Sequence, residues 1–322
     1  MRIVALEEHL WLAPFNAELA KATDDGERGG AARVREKLED VDGARLASMD
    51  ESGITMQVLS VPGFGAALLP PDAAPSFARR YNDALAAVVA ARPDRFATFA
   101  HLPLTAPEAA ADELERTVRE YGFRGALISG TTNGKFLDDA TFEPLLARAE
   151  ALDVPIYIHP GVPPESVRRA YYDGFSPQVS RMFATSGWGW HAETAVQVLR
   201  MVLAGSLDRH PRLKLIIGHL GEGLPAMLDR CDSSLGIKMT GLQRTVSQTI
   251  LDQVSITTSG FFSLAPFLAA LLTFGAERIL FSVDYPFADN ASARAFLDVL
   301  PVNPDDKEKI AHGNADRILK LA

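Results

Sequence analysis

Four apolar runs in this sequence end in side chains that could bind a metal ion or move a proton. Val4-Ala5-Leu6 leads into Glu7-Glu8-His9, and Val154-Pro155-Ile156-Tyr157-Ile158 into His159-Pro160. Leu215-Ile216-Ile217-Gly218 leads into His219, and Ile279-Leu280-Phe281-Ser282-Val283 into Asp284. Side chains of an extended strand alternate between faces, so Glu7 and His9 are expected on the side of Ile3 and Ala5, with Glu8 opposite. Two neutral imidazoles and two carboxylates, from Glu7, His9, His159 and Asp284, suit one borderline divalent ion and nearly cancel its charge. Without a metal, the same residues would read as a buried ion-pair cluster. No Gly-rich phosphate loop, dinucleotide fingerprint or Gly-x-Ser-x-Gly elbow is found, so nucleophilic and nucleotide-dependent chemistries have little support.

Such residues can meet only if the strands that carry them end at one rim. Short β-rich segments recur at Arg2-Leu6, Ile54-Ser60, Phe96-Leu102, Gly125-Ser129, Val154-His159, Leu213-Gly218, Val254-Thr258 and Arg278-Ser282. Eight parallel strands close a barrel, and active sites of barrels lie at the carboxyl ends of the strands. Helical spacing falls between them, at Ser76-Ala91, Ala106-Tyr121, Phe142-Leu152, Glu193-Asp208 and Leu264-Phe274. The expected fold is therefore α/β, a (β/α)8 barrel formed by the whole chain as one domain. Two connections, at about 10–40 and 160–190, are long for barrel loops and fall on the site side, where such segments act as lids or walls. The second carries Tyr171, Tyr172, Phe175, Trp188 and Trp190, aromatic surface for a pocket wall or for packing between subunits.

Asp and Glu outnumber Lys and Arg, 41 to 32 in 322 residues. No basic block or basic-aromatic stripe tracks a phosphate backbone, which argues against a nucleic-acid partner. Cys231 is the only cysteine, so neither an internal disulfide nor a thiolate zinc site is available. The N-terminus lacks the pattern of a secretory signal, and no apolar run is long enough to cross a bilayer. The sequence reads as that of a cytoplasmic protein without membrane attachment.

At these residues the sequence resembles the amidohydrolase superfamily. The branch it resembles is the mononuclear one, which contains 2-amino-3-carboxymuconate semialdehyde decarboxylase and the gamma-resorcylate and 2,3-dihydroxybenzoate decarboxylases. Ala-Leu-Glu-Glu-His at 5–9 is similar to the first-strand motif of that branch, where Glu-x-His stands in place of the common His-x-His. The likeness continues through Val-Pro-Ile-Tyr-Ile-His-Pro at 154–160, Glu-Thr-Ala-Val at 193–196 and Ile-Ile-Gly-His-Leu-Gly-Glu-Gly-Leu-Pro at 216–225. Thr-Thr-Ser-Gly at 257–260, Ile-Leu-Phe-Ser-Val-Asp-Tyr-Pro-Phe at 279–287 and Gly-Asn-Ala at 313–315 complete it.

The resemblance implies that Glu7, His9, His159 and Asp284 hold one metal ion, zinc or manganese, and that His219 and Glu222 are a catalytic pair. It places Arg230, Phe287, Trp188 and Trp190 against the substrate. Glu222 is expected to begin the helix after the sixth strand and reach back to His219. The fourth strand, Gly-Ala-Leu-Ile-Ser at 125–129, supplies no lysine of the kind that bridges two metals in the dinuclear branch. Asn133 after it is read as a turn residue. Pro160-Gly161-Val162-Pro163-Pro164 departs from the polar residues of the hydroxybenzoate enzymes, so the resemblance does not extend to the ring substituents of the substrate.

The implied activity is metal-dependent, non-oxidative decarboxylation of an ortho-hydroxylated aromatic acid, with Asp284 as proton donor and His219 stabilising charge. The resembling enzymes assemble as dimers or tetramers, so a homo-oligomer is expected. Two other readings compete: metal-assisted hydrolysis of a lactone or amide at the same site, and a non-catalytic metal-binding barrel.

Overall fold

The structure is a computed structural model, and it describes residues 1–22, 32–63 and 65–321. All eight expected strands form: β1 (Val4–His9), β2 (Met56–Ser60), β3 (Phe96–Thr98), β4 (Ala126–Ser129), β5 (Ile156–His159), β6 (Leu215–Ile217), β7 (Val254–Thr257) and β8 (Ile279–Leu280). They pair in sequence order and in parallel. The bridges Ala100–Ala126 and Leu6–Ser282 join β3 to β4 and β8 to β1 and so close the ring.

Alternation along the strands divides the apolar residues into two buried layers. Val4, Leu6, Val58, Phe99, Tyr157, Ile216 and Leu280 pack together inside the barrel, with Ala315, Ile318 and Leu319 of the last helix, Asn314–Leu319, among them. Asn314 ties that helix to the start of β8, its amide donating to the carbonyls of Ala276 at 2.7 Å and Ile279 at 2.8 Å. The other layer, which includes Ile3, Ala5, Ile128, Ile156, Ile158 and Ile217, faces the surrounding helices.

The helices Ala74–Ala91, Pro107–Tyr121, Glu143–Leu152 and Leu264–Phe274 lie where the spacing places them. In Pro107–Tyr121 a proline starts the first turn, and Ala110, Ala111, Leu114 and Thr117 bury one face. The expected helix over 193–208 is instead two, Gly189–Leu203 and Ser206–Arg209, interrupted at Gly205 with φ 70°.

Both long connections contain helices. Ala13–Ala22 and Ala32–Glu39 follow β1, and Glu165–Tyr171 and Pro177–Ala184 follow β5. Phe15 packs on Phe77 and Tyr81, and the Leu12 N–H donates to the Tyr81 hydroxyl at 3.1 Å, so the first excursion sits on the helix Ala74–Ala91. No helix among the described residues is long and apolar enough to cross a membrane.

Candidate metal centre and catalytic pair

Strict alternation would turn Glu7 and His9 outward with Ile3 and Ala5, toward the helices. The structure corrects that expectation with a bulge. Ala5 pairs with Gln57 and Glu8 with Leu59, so β1 carries one residue more than β2 over this interval, and Glu7 takes a left-handed φ of 61°. The added residue shifts the alternation, and Glu7 and His9 come to face the barrel axis.

One donor atom from each of Glu7, His9, His159 and Asp284 lies within 4.8 Å of the others. His9 Nε2 is 3.2 Å from Asp284 Oδ1, and His159 Nε2 is 3.2 Å from Glu7 Oε1. The remaining polar atoms of His9, His159 and Glu7 are already engaged. His9 Nδ1 meets Ser60 Oγ at 2.9 Å, and His159 Nδ1 donates to the Pro160 carbonyl at 2.7 Å. Glu7 Oε2 accepts from the hydroxyls of Tyr157 and Ser259. Glu7 Oε1 and His9 Nε2, by contrast, are buried and lack a hydrogen-bond partner. Orphaned buried polar atoms are costly, and a cation among the four donors would satisfy both, so the residues fit one divalent ion.

Burial opposes the charge on Glu7, but His219, His159 and His9 outweigh it and hold the carboxyl well below its ordinary range. Burial also lowers the pKa of His9, favouring the neutral imidazole that a metal requires. Gly218 is needed where β6 passes this cluster, because a Cβ there would stand 2.9 Å from Glu7 Oε2. Glu7, His219, Glu222 and Asp284 all have positive φ, from 51° to 71°. Such backbone costs on the order of 1–3 kcal/mol per residue and gathers at functional sites.

His219 Nε2 is 3.8 Å from Glu7 Oε1, while its Nδ1 lies 2.7 Å from Glu222 Oε1. Glu222 does not begin a regular helix, contrary to the expectation. It sits with φ 55° between the short turns His219–Gly221 and Leu224–Ala226, and the helix starts only at Leu228. The pair still forms because the tight turn brings residues three apart together. Burial works against the His219 imidazolium, but Glu222 and Glu7 prevail and hold its pKa up at about 10.

Phe287 stands over the centre, its ring 5.7 Å from that of His9 and 57% exposed. Trp190 is half-buried and donates through Nε1 to His191 Nε2 at 3.0 Å. Trp188 is exposed at the start of the helix Gly189–Leu203. Arg230 is exposed on the helix Leu228–Ser234, with no side-chain hydrogen bond or ion pair among the described residues. Asn133 is an exposed turn residue with φ 52°, closed by mutual Thr132–Lys135 backbone bonds of 3.0 Å. The aromatic segment is divided: Tyr172 and Phe175 pack on Phe183, and Tyr171 is largely exposed.

Sequence reasoning missed several members of the site. Tyr157 and Ser259 lie within stretches that carry the resemblance, yet their hydroxyls point to Glu7 only through the fold. Phe261 packs on His219, with centroids 5.4 Å apart. His191 lies beside Glu222, and its one signal was a histidine set among aromatics. His191, His219 and Glu222 also place donor atoms within 4.8 Å, but both Nδ1 atoms already hydrogen-bond Glu222.

The chain is similar to known proteins over nearly its whole length. The family model described as Amidohydrolase matches residues 8–321. The chain is 38% identical over 331 residues to decarboxylase orsB of Emericella nidulans, across 99% of this chain and 97% of that protein. It is 37% identical over 330 residues to gamma-resorcylate decarboxylase of Rhizobium sp. strain MTP-10005, across 99% and 98%. Dihydroxybenzoic acid decarboxylase from Polaromonas sp. JS666, solved with manganese and the inhibitor 2-nitroresorcinol, superposes with a TM-score of 0.88 at 35% identity, over 99% of this chain and 97% of that one. The chain belongs to the amidohydrolase family.

Proposed function

We propose that the protein is a metal-dependent, non-oxidative decarboxylase of hydroxybenzoate-type acids. The observation that carries this reading is the convergence of Glu7, His9, His159 and Asp284 beside the His219–Glu222 pair, in a chain whose relatives at 35–38% identity are named as decarboxylases, two of them of dihydroxybenzoate-type acids. Glu7, His9, His159 and Asp284 would hold one divalent cation, manganese or zinc. When bound, that cation would supply positive charge that favours an anionic substrate.

The chain's own groups do the rest. An ortho phenolate raises electron density on the carbon that bears the carboxylate, so that carbon can accept a proton. Asp284, with 18% of its side chain exposed against none for His9 or Glu7, delivers the proton from its carboxylic acid form. The bond to the carboxylate carbon then breaks, its electron pair restores the aromatic ring, CO₂ leaves, and Asp284 remains as carboxylate. His219, held by Glu222, presents positive charge to the anionic substrate through Nε2. Phe287 and Phe261 supply apolar faces on either side of the centre, one on His9 and the other on His219. Trp188, Trp190 and Arg230 are assigned to the outer edge of the substrate. A homo-oligomer, dimer or tetramer, and a cytoplasmic setting belong to the same reading.

The test is a panel of ortho-hydroxylated benzoates assayed for CO₂ release with manganese- or zinc-loaded enzyme, beside lactones assayed for acid release. Phenol and CO₂ in equal amounts are expected. Lactone hydrolysis without CO₂ release from any acid would overturn the proposal.

A further inference from the structure

Glu222 has two imidazole donors. Its side chain is fully buried; His219 Nδ1 lies 2.7 Å from Oε1 and His191 Nδ1 lies 2.7 Å from Oε2. The other nitrogen of His191, Nε2, faces the indole N–H of Trp190 at 3.0 Å and the Ser186 carbonyl at 3.3 Å. An indole nitrogen only donates. His191 Nε2 can accept from Trp190 or, if protonated, donate to the Ser186 carbonyl; the shorter contact is the one to Trp190 and makes Nε2 the acceptor, which leaves the ring's proton on Nδ1, directed at Glu222. The hydrogen bonds run from Trp190 to His191 to Glu222, and from His219 to the same carboxylate.

A carboxylate held through one oxygen can turn about its last torsion, whereas one held at both oxygens cannot. Packing adds to the restraint, since the His191 ring lies 4.6 Å from His219 and 5.4 Å from Phe261. Thr194 Oγ1 donates to the Trp190 carbonyl at 2.8 Å, fixing the helix turn that presents both Trp190 and His191.

We propose that His191 is a positioning residue for the reaction: by occupying Glu222 Oε2 it fixes the carboxylate, which keeps His219 with Nδ1–H on Glu222 and Nε2 toward the metal donors. The proposal rests on the decarboxylase reading. It also gives the long connection after β5 a task beyond forming a wall, because Trp190 and His191 lie at its end.

The test compares His191→Leu and His191→Asn with wild type on a hydroxybenzoate that wild type decarboxylates. Leucine fills the space without a donor, whereas the asparagine amide places an N–H near the position of Nδ1–H. H191L should lose kcat roughly 10- to 100-fold, the usual effect of removing an outer partner of a reactive group, with KM within about twofold, and H191N should recover most of the loss. Metal content and melting midpoint should match wild type in both. Equal turnover by H191L and wild type would overturn the proposal, as would H191N being as slow as H191L with metal content and midpoint intact.

A second readout does not depend on turnover or on the variants folding. In ¹⁵N-histidine-labelled wild-type protein, long-range spectra should show His191 as the Nδ1–H tautomer, and an Nε2–H tautomer would overturn the assignment. A wild type inactive on every acid would sink the decarboxylase reading instead, leaving the tautomer to decide the role of His191.

Discussion

Replacing Glu8 by Gln tests how the centre is held from behind. The Glu8 side chain is completely buried and turns away from the metal donors toward β2 and β8. Its Oε1 accepts the Val283 N–H at 2.9 Å, and its Oε2 accepts the Tyr285 N–H and the Gln57 amide, each at 3.3 Å. Those two backbone amides flank Asp284, so this carboxylate sets the strand end from which Asp284 projects. Burial pushes the Glu8 pKa up, against these N–H donors and the nearby Arg45.

An amide in its place keeps one acceptor and turns the other into a donor, leaving either the Val283 N–H alone or the Tyr285 N–H and the Gln57 amide facing N–H₂. Gln57 cannot flip to compensate, because its oxygen accepts from Arg45 Nη1 at 3.1 Å. At about 1–3 kcal/mol for each buried donor left unsatisfied, E8Q should lose at least about 1–3 kcal/mol. That is a large part of the stability of an ordinary folded domain. Metal affinity should weaken on the order of 10- to 100-fold through displacement of Asp284. Urea unfolding of the metal-free protein and competition with a fluorescent chelator measure the two effects. A variant that unfolds within about 0.5 kcal/mol of wild type and binds metal equally well would show that Glu8 does not hold the strand end in place.

Other consequences are open to measurement. Asp284→Asn should abolish CO₂ release while leaving substantial bound metal, because the amide can coordinate but has no acidic proton to give; retained turnover would reject Asp284 as donor. Tyr157→Phe removes a hydroxyl from Glu7 Oε2 and should weaken metal binding about 10-fold in equilibrium titration, whereas unchanged affinity would show that Ser259 suffices. Burial lowers the His101 pKa from 6.5 to about 4, so between those values the unfolded chain binds the proton and the folded chain does not. Stability is then complete above pH 6.5 and falls by about 3 kcal/mol as the pH drops to 4. His101→Gln, which can still accept the Ala66 N–H now 2.8 Å from Nε2, should flatten that slope in unfolding curves taken across the range.

The barrel was legible because each strand is a short apolar run with a polar residue at its end, and that residue marks the rim. The four proposed metal donors, Glu7, His9, His159 and Asp284, were legible as a set because all stand at such ends. Their orientation did not follow, since strand alternation alone would send Glu7 and His9 outward and only the bulge at Glu7 turns them in. The support for Glu7 was equally hidden: Tyr157 and Ser259 are far apart in the chain and meet only because β5 and β7 project into one interior. Glu222 illustrates a local failure, in which a left-handed turn took the place of a helix start. His191 could not be assigned because its meaning depends on a carboxylate 31 residues away in the chain.

The proposed function depends on these four side chains holding a single divalent ion. Anomalous diffraction from crystals grown with manganese tests it most directly. One peak is expected within bonding distance of Glu7 Oε1, His9 Nε2, His159 Nε2 and an Asp284 oxygen. A peak among His191, His219 and Glu222 instead, or none at the four donors in excess manganese, would contradict it.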